Sequence, residues 1–299
     1  MITYEWVEVL PSGSAAEISD LLTAAVAYDA EAGFSTARSE APAVPDGTFH
    51  LVVSMPPKGQ RGSPHLDRLP DVAVVAYLRL DLDGGVGEVE LVVRPEFRSL
   101  GVATLLLERL RDEGSGWGAV PGLREIRSWA HGAHPAAGRM SARFGGSLTD
   151  AVFKTFREVG GSRPFVAEVS SREIARVDAV GTGLAASHAG ALAPADRATL
   201  ARVGNALTDP IDGARVCFGA DAAAPAALPA CIVLVDAAEM KRGTALRLLS
   251  DALLAVQDVG ARVVQLYVDP LDDEVLAASR ELDFVHDQSD LRYALVLRA

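Results

Sequence analysis

The most informative stretch of the sequence is residues 87–104, Gly-Glu-Val-Glu-Leu-Val-Val-Arg-Pro-Glu-Phe-Arg-Ser-Leu-Gly-Val-Ala-Thr. Val89, Leu91, Val92 and Val93 form an apolar strand that stops at Arg94-Pro95. After Arg98-Ser99-Leu100-Gly101-Val102-Ala103, the leucines 105, 106, 107 and 110 recur at helical spacing. This is a strand, a short loop and a helix. The first turn of a helix carries backbone N–H groups with no partner inside the helix. The partial positive charge of the helix end adds to them. Gly101 and Ala103 keep the loop free of bulky side chains, and Arg98 adds a charged donor, so the segment is suited to an anion such as a phosphate.

The flanking pattern places this unit inside an α/β arrangement. Residues 2–9 read as a strand and Ser14–Asp29 as a helix whose apolar face is Ile18, Leu21, Leu22 and Val26. Residues 33–47 and 56–70 read as loops, the second rich in Pro and Gly. Strands follow at 48–55 and 71–80, and Asp81–Gly85 makes a hairpin turn. After the central unit come a strand at 123–130, a helix over Pro135–Phe144 and a hairpin over 147–158. The order predicts helices covering a mixed sheet.

Gly160-Gly161-Ser162-Arg163-Pro164 reads as a break, dividing the 299 residues into domains at 1–159 and 164–299. The second half repeats the first. The apolar strand 231–236 precedes Met240-Lys241-Arg242-Gly243-Thr244-Ala245 and a helix with Leu246, Leu248, Leu249, Leu253 and Leu254. A strand at 263–269 and a helix at 272–282 follow. Met240, Gly243 and Ala245 stand at one constant offset from Arg98, Gly101 and Ala103.

Composition narrows the function. Half the chain is hydrophobic (49%), and the net charge is −12, which argues against a nucleic-acid partner. The two cysteines, Cys217 and Cys231, sit in apolar runs and read as buried free thiols, with no disulfide framework and no metal site. No leader pattern opens the sequence, and no apolar run approaches the ~20 residues that span a bilayer. A cytoplasmic monomer acting on a small molecule, with no membrane partner, is the expectation.

The pattern (Arg/Gln)-x-x-Gly-x-(Gly/Ala) after such a strand resembles the pyrophosphate loop of the GCN5-related N-acetyltransferases (GNATs), which bind acetyl-CoA. Two such units in one chain, with Trp129-Ala130-His131-Gly132 before Pro135 and Leu266-Tyr267-Val268-Asp269 in the second half, are similar to the mycothiol synthase family. The resemblance implies two tandem GNAT-like domains, each a mixed, mostly antiparallel sheet flanked by helices. It implies acetyl transfer from acetyl-CoA to an amine, in that family the cysteine amine of cysteinyl-glucosaminyl-inositol. It assigns CoA contacts to Leu91, Val92, Val93, to Arg98 through Thr104 (Ser99, Leu100, Gly101, Val102 and Ala103 between them), and to Val233, Leu234, Val235, Gly243 and Ala245. Asp269 matches an acidic substrate-contacting position. The family's catalytic domain is the second one, and there this chain departs. Pro229 and Ala230 stand in the region of the family's glutamate base, Ser279 at its tyrosine acid, and Met240 at the first position of its phosphate loop. In the first domain Ser141 stands where the tyrosine would be.

The residues left to carry chemistry lie in the first domain. Glu88 and Glu90 alternate with Val89 and Leu91, share one face of the strand, and are the candidate general bases. Asp29 follows the first helix and is a candidate substrate contact, as is Asp269 in the second domain. Glu31, His131, His134 and Tyr77 are weaker candidates, each of which also reads as an ordinary surface, loop or core residue. Two readings stay open beside the mycothiol precursor: a GNAT acting on another amine through its first domain, and a CoA-binding protein without catalysis.

Overall fold

The computed structural model describes residues 2–31, 47–112, 114–160, 164–166, 175–177, 204–209, 213–219, 230–235 and 240–297. These divide into two compact units, the first made of residues 1–150 with 291–299 and the second of 151–290.

In the first unit β1 (Thr3–Val7) leads into α1 (Ser12–Glu31), then β2 (Thr48–Ser54), β3 (Val74–Asp83) and β4 (Val86–Val93). Next come α2 (Val102–Arg109), β5 (Glu125–Ala130), α3 (Pro135–Phe144) and β6 (Ser147–Glu158). β1, β2, β3 and β4 pair antiparallel in sequence order, and β4 pairs parallel with β5. The turn between β3 and β4 uses Gly84 and Gly85 at φ 55° and 90°, the left-handed pair that matches strand twist in a two-residue hairpin. α1 packs Ile18, Leu21 and Leu22 against Val52, Val74 and Tyr77 on one face of the sheet. α2 packs Val102 and Leu106 against Leu78, Leu80 and Val89 on the other. Residues 56–70, read as a loose loop, are organised around Arg61. Its buried guanidinium donates to the carbonyls of Pro56, Leu66, Leu69 and Pro70 and to Asp71.

The second unit runs through β7 (Ala175–Val177), β8 (Gly204–Thr208), β9 (Arg215–Gly219) and β10 (Ala230–Val235). It continues with α4 (Arg242–Asp258), β11 (Val263–Val268), α5 (Asp273–Glu281) and β12 (Val285–Val296). β7 to β10 pair antiparallel in order and β10 pairs parallel with β11, the pattern of β1 to β5. The repeat read from the sequence is therefore a repeat of topology. Leu248, Leu249, Ala252 and Leu253 of α4 pack with Val264, Leu266 and Val275 in the core. Cys217 is a buried free thiol whose pKa burial pushes up.

Each repeat ends in a long strand, and both strands serve two units. Residues 147–158 form one continuous strand rather than a hairpin. Phe153–Glu158 of β6 pair antiparallel with β11 in the second unit, while Leu291–Val296 of β12 pair with β5 in the first. The boundary drawn at 160–164 follows chain continuity; the compact units follow strand pairing and exchange the last strand of each half. Residues 161–163 lie outside the described residues.

Where β6 and β12 enter the second unit they carry a buried ion pair. Lys154 Nζ lies 2.8 Å from Asp290 Oδ2, with both side chains essentially inaccessible, and the ammonium also sits 5.4 Å from the Tyr267 ring centre. Removing one partner strands a buried charge. Asp290→Ala should cost about 3–5 kcal/mol in denaturant unfolding. The double change Lys154→Met/Asp290→Leu should recover most of that loss. Equal instability of the single and double variants would show that shape, not charge, is what the pair supplies.

Candidate active site

β4 is the strand from which the site is built. Its parallel ladder with β5 covers only Val86–Glu88 opposite Glu125–Arg127, whereas its antiparallel ladder with β3 runs to Val93. β4 thus continues for five residues past the end of the β5 pairing. Arg94 N–H donates toward β3, to Val75 O at 2.9 Å. Strand alternation then turns the backbone groups of Leu91 and Val93 toward the side where β5 no longer pairs. This leaves an edge of β4 backbone that β5 does not pair.

At its end lies the phosphate-type loop. Ser99 and Gly101 adopt left-handed φ values of 61° and 81°. Gly101 caps α2 in this conformation, and a Cβ placed on it would meet nothing within 4 Å. The helical ladder starts with Leu105 N–H donating to Gly101 O, so the amides of Val102, Ala103 and Thr104 precede it and face outward along the helix axis. Arg98 does not extend freely beside them. Its Nη1 and Nη2 donate to the two oxygens of Asp29 at 2.5 and 3.1 Å, and its Nε donates to Val93 O at 3.0 Å. The guanidinium also lies 5.1 Å from the Tyr28 ring centre. Two residues singled out separately in the sequence, a phosphate donor and a substrate contact, are thus bound to each other.

The α1 side of the same strands carries transverse rows of polar residues. Thr48, Asp81, Glu88 and Arg127 are successive cross-strand partners, and so are His50, Arg79 and Glu90; the next row is Val52, Tyr77 and Val92. Glu88 pairs with Arg292, which lies over the Trp129 ring. Arg79 Nε reaches both oxygens of Asp81, at 2.8 and 3.0 Å, and Thr48 donates to the same carboxylate. His50 Nδ1 and Tyr77 Oη are 2.6 Å apart in the interior. Burial, and then the nearby Arg79 charge, lower the His50 pKa from 6.5, with Asp81 opposing weakly. Both candidate bases share one face, as their spacing predicted, and the structure puts that face on the α1 side, away from α2. His50, Arg79 and Arg292 were missed. Their only sequence signal is a polar residue recurring at every second position in apolar strands.

Other expectations resolve differently. His134 caps α3, its Nδ1 accepting from Ala136 N–H at 3.2 Å. His131 lies in the short turn before it. Ser141 carries a buried hydroxyl oxygen without a hydrogen-bond partner among the described residues.

The second unit lacks the loop. α4 starts at Arg242, two positions before the start of α2 in the repeat, so Gly243 lies inside the first helical turn. Ala245 is fully buried and its amide donates to Lys241 O. Met240, at the place of Arg98, is a core residue. Arg242 N–H donates to Glu274 Oε2 at 3.1 Å, so a carboxylate of α5 occupies this helix end, and the Arg242 side chain is held by Glu281. Val233, Leu234 and Val235 lie on β10, whose ladder with β11 reaches Val233–Tyr267. The Asp269 carboxylate accepts from Leu271 N–H at 2.8 Å, closing a turn. Ser279 is buried, its hydroxyl donating to Leu276 O. Pro229 lies outside the described residues. Among those residues, no cluster of His, Cys, Asp and Glu is arranged for a metal, and no helix is long and apolar enough to cross a membrane.

This architecture is the GCN5-related N-acetyltransferase fold, present twice in one chain. A tandem GNAT protein from the clavulanic acid biosynthesis pathway superimposes with a TM-score of 0.61 at 14% identity, covering 99% of this chain and 98% of the other. A GCN5-related N-acetyltransferase from Sphaerobacter thermophilus gives 0.57 at 15% identity, covering 99% and 96%. In sequence the chain is similar to mycothiol acetyltransferases. That of Parafrankia sp. (strain EAN1pec) is 29% identical over 164 residues, 55% of this chain and 45% of the relative, so the match spans less than half of that protein's length. No protein-family profile matches the chain.

His50 makes the first unit sensitive to acid. Its folded pKa is lowered, so both states carry a neutral imidazole above the unfolded value of 6.5, and its contribution to stability is intact there. As pH falls below that value the unfolded state takes up the proton first and stability declines. His50→Gln should flatten this part of the profile of melting temperature against pH. A wild-type and variant difference that stays constant from pH 7 to about 5 would contradict the assignment.

Proposed function

We propose that this protein is an N-acetyltransferase that moves an acetyl group from acetyl-CoA to the primary amine of a small molecule, and that the first unit does the work. The observation that carries the reading is the pairing of an open, glycine-capped helix end with a strand that outruns its parallel neighbour. The pyrophosphate of CoA fits the amides of Val102 to Thr104, with Gly101 clearing its approach. The pantetheine arm fits the exposed edge of Leu91 to Val93, and Ser99 and Leu100 shape the turn between them.

The chemistry follows from that placement. Glu90, with Glu88 as the alternative, takes a proton from the acceptor ammonium. The free amine attacks the thioester carbonyl, whose developing negative charge is held by a backbone N–H of the Leu91–Val93 edge. Collapse breaks the carbon–sulfur bond, and the released thiolate takes up the second proton, lost by the attacking nitrogen as the amide forms, to leave as CoA-SH. The finer reading of the acceptor, the cysteine amine of cysteinyl-glucosaminyl-inositol, is supported by similarity to mycothiol acetyltransferases. A second reading, another amine acetylated by the first unit, is favoured by the loss of loop, base and acid in the second. There Glu274 stands at the helix end and Ser279 is spent on its own helix.

Calorimetric titration with acetyl-CoA should give one site. Gly101→Val places a branched side chain at a left-handed φ and into the anion's path, and should abolish binding, while Gly243→Val leaves it intact. The reverse result would move the site to the second unit. With the mycothiol precursor as acceptor, Glu90→Gln should lower turnover by about 10²–10⁴-fold, the usual worth of a positioned general base. Unchanged turnover in both Glu90→Gln and Glu88→Gln would remove the first unit from the chemistry. Clear CoA binding without acetylation of any amine would leave a CoA-binding protein.

A further inference from the structure

The contact between Arg98 and Asp29 has a consequence for how the loop works. Arg98 stands where a charged ligand for the pyrophosphate is expected, yet three of its N–H groups are spent within the protein, on Asp29 and on Val93 O. The contact joins three elements: the last turn of α1, the end of β4 and the start of the loop. Asp29 lies near the C-terminal end of α1, where the helix dipole disfavours a carboxylate, and that last turn contains no basic residue of its own. Arg98 supplies the missing cation through a planar two-point fork, and Tyr28 covers the guanidinium. The pair is partly buried, with side-chain exposures of 30% and 19%, so solvent screens it only in part. Immediately after Arg98 the chain takes the left-handed conformation at Ser99, a residue type that rarely adopts it, and again at Gly101. The backbone path that exposes the amides of Val102 to Thr104 therefore begins at a residue fixed at both its fork and its Nε.

We propose that Asp29 and Arg98 form a clamp that sets the shape of the phosphate-binding loop, and that Arg98 is a positioning residue rather than a ligand of the pyrophosphate. Asp29 is then part of the CoA site's support and not of an acceptor pocket. The charge of Arg98 is already neutralised by Asp29, and a second anion brought to the same guanidinium would meet that carboxylate. The backbone amides and the helix end carry the anion instead. This proposal rests on the reading of the first unit as the acetyl-CoA site.

The two roles for Arg98 give opposite signs at Asp29. If Arg98 is a clamp, Asp29→Asn and Arg98→Gln should each weaken CoA binding, on the order of tenfold, and the double variant should be no weaker than either single. The exchanged pair Asp29→Arg/Arg98→Asp should restore much of the affinity, although it places a carboxylate on the loop. If Arg98 binds the pyrophosphate, Asp29→Asn frees it and tightens binding, and the exchanged pair binds worst of all; either result overturns the clamp. Far-UV circular dichroism melts of each variant separate loop effects from unfolding. If the wild-type protein does not bind CoA, the functional reading fails and the clamp is judged by hydrogen exchange. Faster exchange of the amides from Ser99 to Thr104 in Asp29→Asn, with the β3 amides unchanged, supports it, and unaltered loop exchange ends it.

Discussion

The first unit depends on a strand that outruns its neighbour. Hydrogen bonding between β4 and β5 stops at Glu88–Arg127, and a backbone edge of Leu91 to Val93 continues beyond it. An unpaired strand edge inside a sheet leaves donors and acceptors that demand a partner. Here the demand falls at the place where the loop and the start of α2 present further amides. Val93 O is satisfied by Arg98, which also begins that loop, so one side chain joins the end of the strand to the start of the loop.

The α1 side of the strands has a different logic. Its rows near α1 are apolar, with Val52, Tyr77 and Val92 packed under the helix, while the rows beyond are charged. Arg79 with Asp81 along β3, and Arg292 of β12 with Glu88 of β4, place opposite charges together on this face. The amides at the start of α2 and the carboxylates of Glu88 and Glu90 thus lie toward opposite faces of the same strand. Arg292 reaches this face on the C-terminal strand, so the last residues of the chain complete the environment of Glu88 in the first unit.

What the sequence revealed was local. The strand, loop and helix of 87–110, the length of α3 and the glycine turn between β3 and β4 all follow from periodicity and turn chemistry over a few residues. The shared face of Glu88 and Glu90 followed from strand alternation alone. What stayed hidden was nonlocal. The meeting of Asp29 with Arg98 joins residues far apart in sequence, and nothing in either segment announces it. The exchange of β6 and β12 is invisible for the same reason: 147–158 reads as a hairpin, and the partner of each strand is decided by tertiary pairing. The polar alternation at His50 and Arg79 was present in the sequence, but it reads as surface until register places those residues in a buried row.

The two repeats show how little separates an anion seat from a plain helix start. Both have a glycine at the same place in the motif and a core-facing helix after it. In the first, the helix begins after the glycine, which takes φ 81° and leaves three amides ahead of the ladder. In the second, it begins at Arg242, the glycine is absorbed into the first turn, and a carboxylate from α5 satisfies the leading amide. The residue before the loop differs as well. Arg98 finds polar partners in Asp29 and Val93 O. Met240 at the equivalent position is pulled into the apolar core beside α4, and the chain continues directly into the helix. A charged side chain with polar partners thus precedes a glycine-capped loop in one repeat, and an apolar core residue precedes a helix already capped from within in the other.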